Sequence, residues 1–296
     1  MLNKKLINEE IEQTKLLDEV TQSYAFISSM RMKKIRKSVI NARDFLESIN
    51  IIFSEVLYSY KKEISKLARK SKNKNKITFL SHNGRTVCVF LSANAKFYGD
   101  IIPKTFDLFI NDVRNNDVEA TVIGKYGLLL FKQNEPKRDI TYFDFPDSGI
   151  DTKLIQFLIS HLVQYDEVRF YYPKFKNVVT QEPSVYSISS GTILQSDNYR
   201  KAEHYSYLFE PDLESILMFF EKEIFGSTFQ QTIIESQLSK FAARLVAMDQ
   251  ANQRTKERAR ELEFERLRLA HNLFNRKQTQ TISSISSFIG RQSNAR

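Results

Sequence analysis

Proline is missing from residues 1–102 and again from residues 212–296, all six falling between Pro103 and Pro211. Inside a helix a proline costs about 3 kcal/mol through a lost hydrogen bond and a ring clash. The two flanks can therefore run as uninterrupted helices, and the middle cannot. Glycine divides in nearly the same way: none precedes Gly84, and after residue 211 only Gly226 and Gly290 occur. Cysteine is reduced to Cys88, which excludes an internal disulfide framework. Placed in the apolar run Thr86–Leu91, Cys88 reads as a small buried hydrophobe. No stretch approaches the roughly 18 consecutive apolar residues of a membrane span. The opening MLNKKLINEEIEQ has neither the apolar core of a signal peptide nor the acid-poor character of a transit peptide. These absences predict a soluble cytoplasmic chain without direct membrane insertion.

What is present in the flanks is a heptad. Val39, Ala42, Leu46, Ile49, Phe53, Val56 and Tyr60 advance by alternating steps of three and four, as do Ile234, Leu238, Phe241, Leu245 and Met248. A repeat of 3.5 on a helix of about 3.6 residues per turn implies a left-handed supercoil, and two seams separated by one insert pair most simply antiparallel. Helices of roughly 65 and 75 residues would each span on the order of 100 Å. The expected organisation is an N-terminal coiled-coil helix over 1–76, an α/β domain over 77–211 and a C-terminal coiled-coil helix over 212–296.

The net charge of +9 is concentrated in three clusters. The first is Arg31, Lys33, Lys34, Arg36 and Lys37. A second, from Lys61 to Lys76, contains Ser-Lys-Asn-Lys-Asn-Lys and reads as a connector. The third holds Arg254, Lys256, Arg258, Arg260, Arg266 and Arg268, mixed with Glu257, Glu261, Glu263 and Glu265. A solvated helix face explains such clusters as well as a partner does. Nucleic acid is one candidate partner for a basic coiled coil, but no basic zipper, recognition helix or zinc finger is present and no run of aromatics interleaves the clusters, which hold Phe264 alone. The carboxylates in the third cluster suit an acidic protein surface better than a phosphate backbone.

The middle alternates strand-like runs (86–91, 120–123, 140–143, 168–172, 178–188) with helical spacing at 101–113 and 151–164. This alternation predicts a largely parallel, Rossmann-like sheet. The turn after the first strand, Ser92-Ala93-Asn94-Ala95-Lys96-Phe97-Tyr98-Gly99, lacks G-x-G-x-x-G, and no P-loop pattern occurs, so no nucleotide or other cofactor is read from the sequence. His82, His161, His204 and His271 have no metal-ligand spacing, and no nucleophile elbow is present. Without a nucleophile, base and orienting group brought together, a catalytic site has no warrant.

Several stretches resemble the gamma subunit of rotary F-type ATP synthases. Ile27-Ser28-Ser29-Met30-Arg31-Met32 and the following basic run are similar to the family's KITKAMKMV segment. Residues 172–183, Tyr-Pro-Lys-Phe-Lys-Asn-Val-Val-Thr-Gln-Glu-Pro, resemble its Y-x-K-F-x-N-x-x-x-Q-x-P strand and turn. Phe209-Glu210-Pro211 would open the last helix. Residues 235–249 resemble E-S-x-x-S-E-x-x-x-R-M-x-A-M, and Asn275-Arg276-Lys277-Gln278 with Thr281-Ile282 resembles N-R-x-R-Q-x-x-I.

The resemblance implies a non-catalytic central shaft. Its helices would form a coiled coil inside a hexamer of alpha and beta subunits, and its Rossmann-like foot would bind an epsilon-like subunit and the membrane rotor ring, or another load. It places the complex at the inner face of the cell membrane. Arg31, Lys33, Lys34, Arg36, Arg254 and Arg258 would then meet acidic loops of the beta subunits, and Ile282, Ile285, Phe288 and Ile289 would form an apolar tip in the hexamer's bearing. The chain departs from the family in the 92–99 turn and in a C-terminal helix about two turns longer. Its N-terminal segment is extended too, with Glu9 and Glu10 where the family is basic. These departures leave open a gamma-like shaft in a motor used for another mechanical task, such as surface motility, beside a housekeeping ATP synthase.

Overall fold

The computed structural model describes the backbone of residues 2–60, 82–149, 151–189 and 212–293, and the side chains of 4–60, 82–149, 151–189 and 212–285. The second basic cluster, His204, the Phe209-Glu210-Pro211 opening, the expected boundaries near 76 and 211, and the side chains of Phe288 and Ile289 lie outside the described residues. The elements are α1 (Leu2–Ser59), β1 (Thr86–Leu91), α2 (Ile101–Asn115), β2 (Glu119–Ile123), α3 (Lys125–Asn134), β3 (Thr141–Phe143), α4 (Thr152–Leu162), β4 (Glu167–Phe175), β5 (Gln181–Ser189) and α5 (Leu213–Ser293). They fall into two compact units: residues 27–246, and residues 1–26 together with 247–296.

In the larger unit the five strands form one sheet in the order β3-β2-β1-β4-β5. β1 pairs parallel with β2 and β4, β2 pairs parallel with β3, and only the β4–β5 hairpin is antiparallel. The predicted Rossmann-like sheet is thus present, with β1 at its centre. Alternation along β1 sends Val87, Val89 and Leu91 to one face, against Ile155, Leu158 and Leu162 of α4 and Phe225, Phe229 and Ile233 of α5. Cys88 and Phe90 face the other way, onto Phe106, Phe109 and Val113 of α2 and Phe131 of α3. Because both faces are covered, β1 reads as an unbroken apolar run.

Local chemistry sets the ends of these elements. Asp151 caps α4, its carboxylate accepting from the Lys153 and Leu154 amides. Pro103 lies in the first turn of α2, where a missing N–H costs nothing. Pro173 and Pro183 oppose each other across β4–β5, beyond the last β4 residue paired with β1, so neither has to donate to a second neighbour. Helix α3 was not read from the sequence. Its run Lys-Tyr-Gly-Leu-Leu-Leu-Phe is short and carries a glycine, and Gly127 is required by contact, since a Cβ there would lie 2.5 Å from the Ser92 Cβ.

Helices α1 and α5 pack antiparallel in this unit. Ile35 and Val39 meet Ile234, Leu238 and Phe241, while Ile49, Phe53, Val56 and Leu57 meet Leu217, Phe220 and Ile224. Of the seam residues expected from the sequence, Ala42, Leu46, Tyr60 and Leu245 are half-buried and the rest buried. In the smaller unit Glu10 faces Arg258 and Asp18 faces Asn252, again antiparallel. The buried or half-buried positions of α1 continue the heptad back through Ser28, Ala25, Thr21, Asp18, Thr14, Ile11 and Ile7. On α5 the seam of the smaller unit runs through Met248, Asn252, Thr255, Ala259, Leu262 and Leu269. Residues 253–261 are almost wholly polar, and within the smaller unit the seam there is built of the small and polar Thr255 and Ala259.

Candidate functional site

The first basic cluster lies on α1 within the larger unit. Lys33, Lys34 and Arg36 are exposed, and the Arg31 guanidinium lies 5.6 Å from the centre of the Phe241 ring. Arg31 and Lys34 flank a cavity of about 500 Å³, with Ile35 and Ile234 as its apolar floor and Ser38, Ser148, Gly149 and Gln237 around it. Two cations one turn apart over such a recess can receive an anionic side chain from a partner.

Arg258 is engaged within the chain. Its guanidinium donates to Glu10 at 2.6 Å and to Glu261 at 3.1 Å, so the acidic residue that departs from the family's basic pattern has an intramolecular partner. Arg254 is exposed. The register set by Glu10 and Arg258 brings α1 to its start near residue 266, and from 270 to 285 every side chain of α5 is exposed, Ile282 and Ile285 included.

A second polar site escaped the sequence reading. Every residue of α5 from 232 to 244 is buried, covered by α1 on one side and by the α/β domain on another. The stretch includes Glu235, Gln237, Lys240 and Arg244. The Lys240 ammonium is wholly buried and donates to the Ser92 carbonyl at 2.7 Å. Burial pulls its pKa down to about 8, against the opposing field of Asp147 and with help from Arg244. Arg244 donates to the Lys96 carbonyl and stacks 3.9 Å over the Tyr98 ring. Arg43 approaches Glu235 at 3.9 Å, and burial raises the carboxyl pKa of Glu235. The one available signal was the run of polar residues at helical spacing beside an apolar seam, which a solvated face would also produce.

On the opposite face of the sheet Cys88 sits under Asp112 and Tyr171, and the Tyr171 hydroxyl donates to Asp112. Burial, with the Asp112 charge, pushes the Cys88 thiol up to about 12, the inert buried cysteine expected. Among the described residues no cluster of histidine, cysteine and carboxylate could hold a metal, and no helix is long and apolar enough to cross a membrane.

A family model described as ATP synthase matches residues 3–271. The chain belongs to the ATP synthase gamma chain family. The ATP synthase gamma chain of Mycoplasma capricolum subsp. capricolum is 26% identical over 277 residues, covering 88% of this chain and 90% of that one. That of Mesoplasma florum is also 26% identical, over 87% of this chain and 88% of its own. Among solved structures, the central stalk/c-ring structure of the Tetrahymena thermophila mitochondrial ATP synthase aligns with a TM-score of 0.55 at 15% identity, over 78% of this chain and 99% of the other. A chain of the Euglena gracilis mitochondrial enzyme aligns at 0.54 and 12% identity, over 88% and 95%. At these identities the structures speak for the fold: two long packed helices carrying an inserted mixed five-stranded α/β sheet. Within this family frame, Lys240 occupies the position that is glutamate in the E-S-x-x-S-E pattern.

Proposed function

We propose that this gamma-family chain turns as the central shaft of an F-type ATPase, with its helix pair inside a hexamer of alpha and beta subunits and its α/β domain carrying the load. The observation that supports this reading is the pairing, in one family member, of long antiparallel helices with a sheet domain whose carboxyl edge is packed against one of those helices. Torque arises when the nucleotide-driven closure of a catalytic subunit favours one orientation of an asymmetric shaft over another. Arg31, Lys33, Lys34 and Arg36 are the cations assigned to acidic loops of the beta subunits, Arg254 and Arg258 extend that surface, and Ile282, Ile285, Phe288 and Ile289 form the tip.

A reconstituted hexamer with a bead on the α/β domain tests the assignment. Replacing Arg31, Lys33, Lys34 and Arg36 together by Ala should lower the torque per ATP hydrolysed while leaving the isolated chain folded, because these side chains lie off the buried seam. Unchanged torque sinks the contact, and a wild-type bead that never rotates sinks the shaft. A second reading, a gamma-like shaft serving another mechanical task, draws on the altered 92–99 turn and the acidic N-terminal residues. Its test is copurification: a membrane rotor ring and an epsilon-like subunit recovered with this chain exclude it.

A further inference from the structure

Gln237, Lys240 and Arg244 are three and four residues apart, so they project from one stripe of α5. All three donate to main-chain carbonyls of the α/β domain. Lys240 Nζ reaches Ser92 O at 2.7 Å, Arg244 Nη2 reaches Lys96 O at 2.9 Å, and Gln237 Nε2 reaches Gly149 O at 3.0 Å and Pro146 O at 3.3 Å. Ser92 and Lys96 bound the segment that leaves β1, the central strand. The loop held by Gln237 returns to that segment, because Asp147 accepts from the Asn94 amide at 2.7 Å, the Ala95 amide at 2.8 Å and the Tyr98 hydroxyl at 3.1 Å.

The remaining side of the segment is fixed by α3. The Tyr126 amide donates to Ala93 O at 2.8 Å and the Lys125 amide to the Asn94 side chain, and Gly124 lies so near that a Cβ would come within 2.9 Å of the Ala93 backbone. In doubly wound sheets the loops at the carboxyl ends of the strands are where anionic ligands bind. Here the chain's own carboxylate occupies consecutive amides, and α5 covers the edge with donors. A buried ammonium stabilises a fold less than an apolar side chain of the same volume would. Apolar burial is non-directional, however, and lets a helix slide or turn in its seat. Charge-assisted hydrogen bonds to fixed carbonyls hold one azimuth and one register.

We propose that Gln237, Lys240 and Arg244, with Asp147 behind them, form a torsion-bearing joint that locks α5 to residues 92–96 and so delivers rotation of the helix pair into the central strand without slip. This rests on the shaft reading; the residues are positioning residues, and chemistry on other subunits does not touch them. The departure of the 92–99 turn from the family pattern is then the receiving half of the joint.

The test uses Lys240→Met with Gln237→Leu, which keep volume and remove donors, and Lys240→Arg, which keeps charge and donors. In the isolated chain, amide exchange at Asn94 and Ala95 should rise in the double variant and stay near wild type in Lys240→Arg. Unchanged exchange overturns the joint whatever the motor does. In the reconstituted complex a bead is attached through Val179→Cys, 75% exposed at the β4–β5 turn, with Cys88 buried and unreactive. Under load the double variant, which loses the hydrogen bond of Lys240 and both of Gln237, should slip at least about tenfold more often per ATP hydrolysed, a factor that the loss of one or two such bonds already supplies. Equal slip in variant and wild type overturns the joint, as does torque falling only in proportion to hydrolysis. If the double variant does not assemble, Gln237→Leu alone gives the same reading. A wild-type bead that does not rotate, beside increased exchange in the variant, refutes the shaft and leaves this contact a static one, which also overturns the joint as stated.

Discussion

Truncating Phe53 to Ala should cost the larger unit about 3 to 5 kcal/mol. The side chain is 3% exposed, and its ring centre lies 5.2 Å from that of Phe220 across the α1–α5 seam. Two contributions add: the apolar surface of the ring no longer leaves water, and a cavity opens between Ile49, Val56, Leu217, Phe220 and Ile224. Loss of the ring pair accounts for about 0.5 to 1.5 kcal/mol beyond area. Relaxation is restricted, since Phe220 sits on a helix whose neighbouring turns, at Leu217 and Ile224, are themselves buried in the same cluster. The matched control is Phe45→Ala on the same helix, where the side chain is 52% exposed and the expected change is within about 0.5 kcal/mol. Urea titration followed by far-UV circular dichroism measures both. With a slope of about 2 to 3 kcal/mol per molar, Phe53→Ala should lower the midpoint by about 1 to 2 M, and Phe45→Ala should barely move it. A Phe53→Ala midpoint indistinguishable from wild type, or an equal shift for Phe45→Ala, would refute the assignment of this seam.

Two other tests address the joint's chemistry. Lys240 titrates near 8 when folded and near about 10.4 when unfolded, so between those values the unfolded chain binds more protons and stability rises with pH. Cys88, held near about 12 when folded and near about 8.5 when unfolded, contributes a slope of the opposite sign over the same range, so the test is the difference between wild type and Lys240→Met, which should grow in favour of wild type from pH 8 towards 10. A difference between wild type and Lys240→Met that is flat or falling there contradicts the burial of this ammonium. Gly124→Ala forces φ of +107° on an L-residue and drives its Cβ to 2.9 Å from the Ala93 backbone. It should destabilise the chain by about 1 to 3 kcal/mol and raise amide exchange at residues 92–96. Wild-type exchange in that variant would show that the close approach is not needed.

Much of the architecture was legible because it rests on periodicity. Val39 to Tyr60 and Ile234 to Met248 repeat strictly, and such a stripe can be buried only against another helix. Strand β1 was read with its observed bounds because β-branched and apolar residues run without a break. The coil's other half was harder. Thr14, Asp18 and Thr21 of the smaller unit occupy seam positions as faithfully as leucine does, but their polarity hides the period, and only the facing Asn252 and Arg258 set the register of the two helices within that unit. Helix α3 went unread because a ten-residue helix with an internal glycine carries too little pattern; its glycine answers to Ser92, far away in the sequence.

The basic cluster at Arg31 to Arg36 was visible as charge, whereas the cavity beside it needed α1, α5 and the 148–149 loop to converge. The joint was least accessible of all. A lysine at position 240 and an arginine at 244 look like an exposed face to any rule based on composition, because an unpaired buried ammonium is disfavoured on average. By itself the sequence determined where helices could run unbroken, which stripes had to be buried, that the middle alternates strand and helix, and which family those patterns belong to. Only the tertiary structure decided which polar side chains are buried, since that depends on whether an orienting carbonyl from a distant segment is within reach to compensate the lost water.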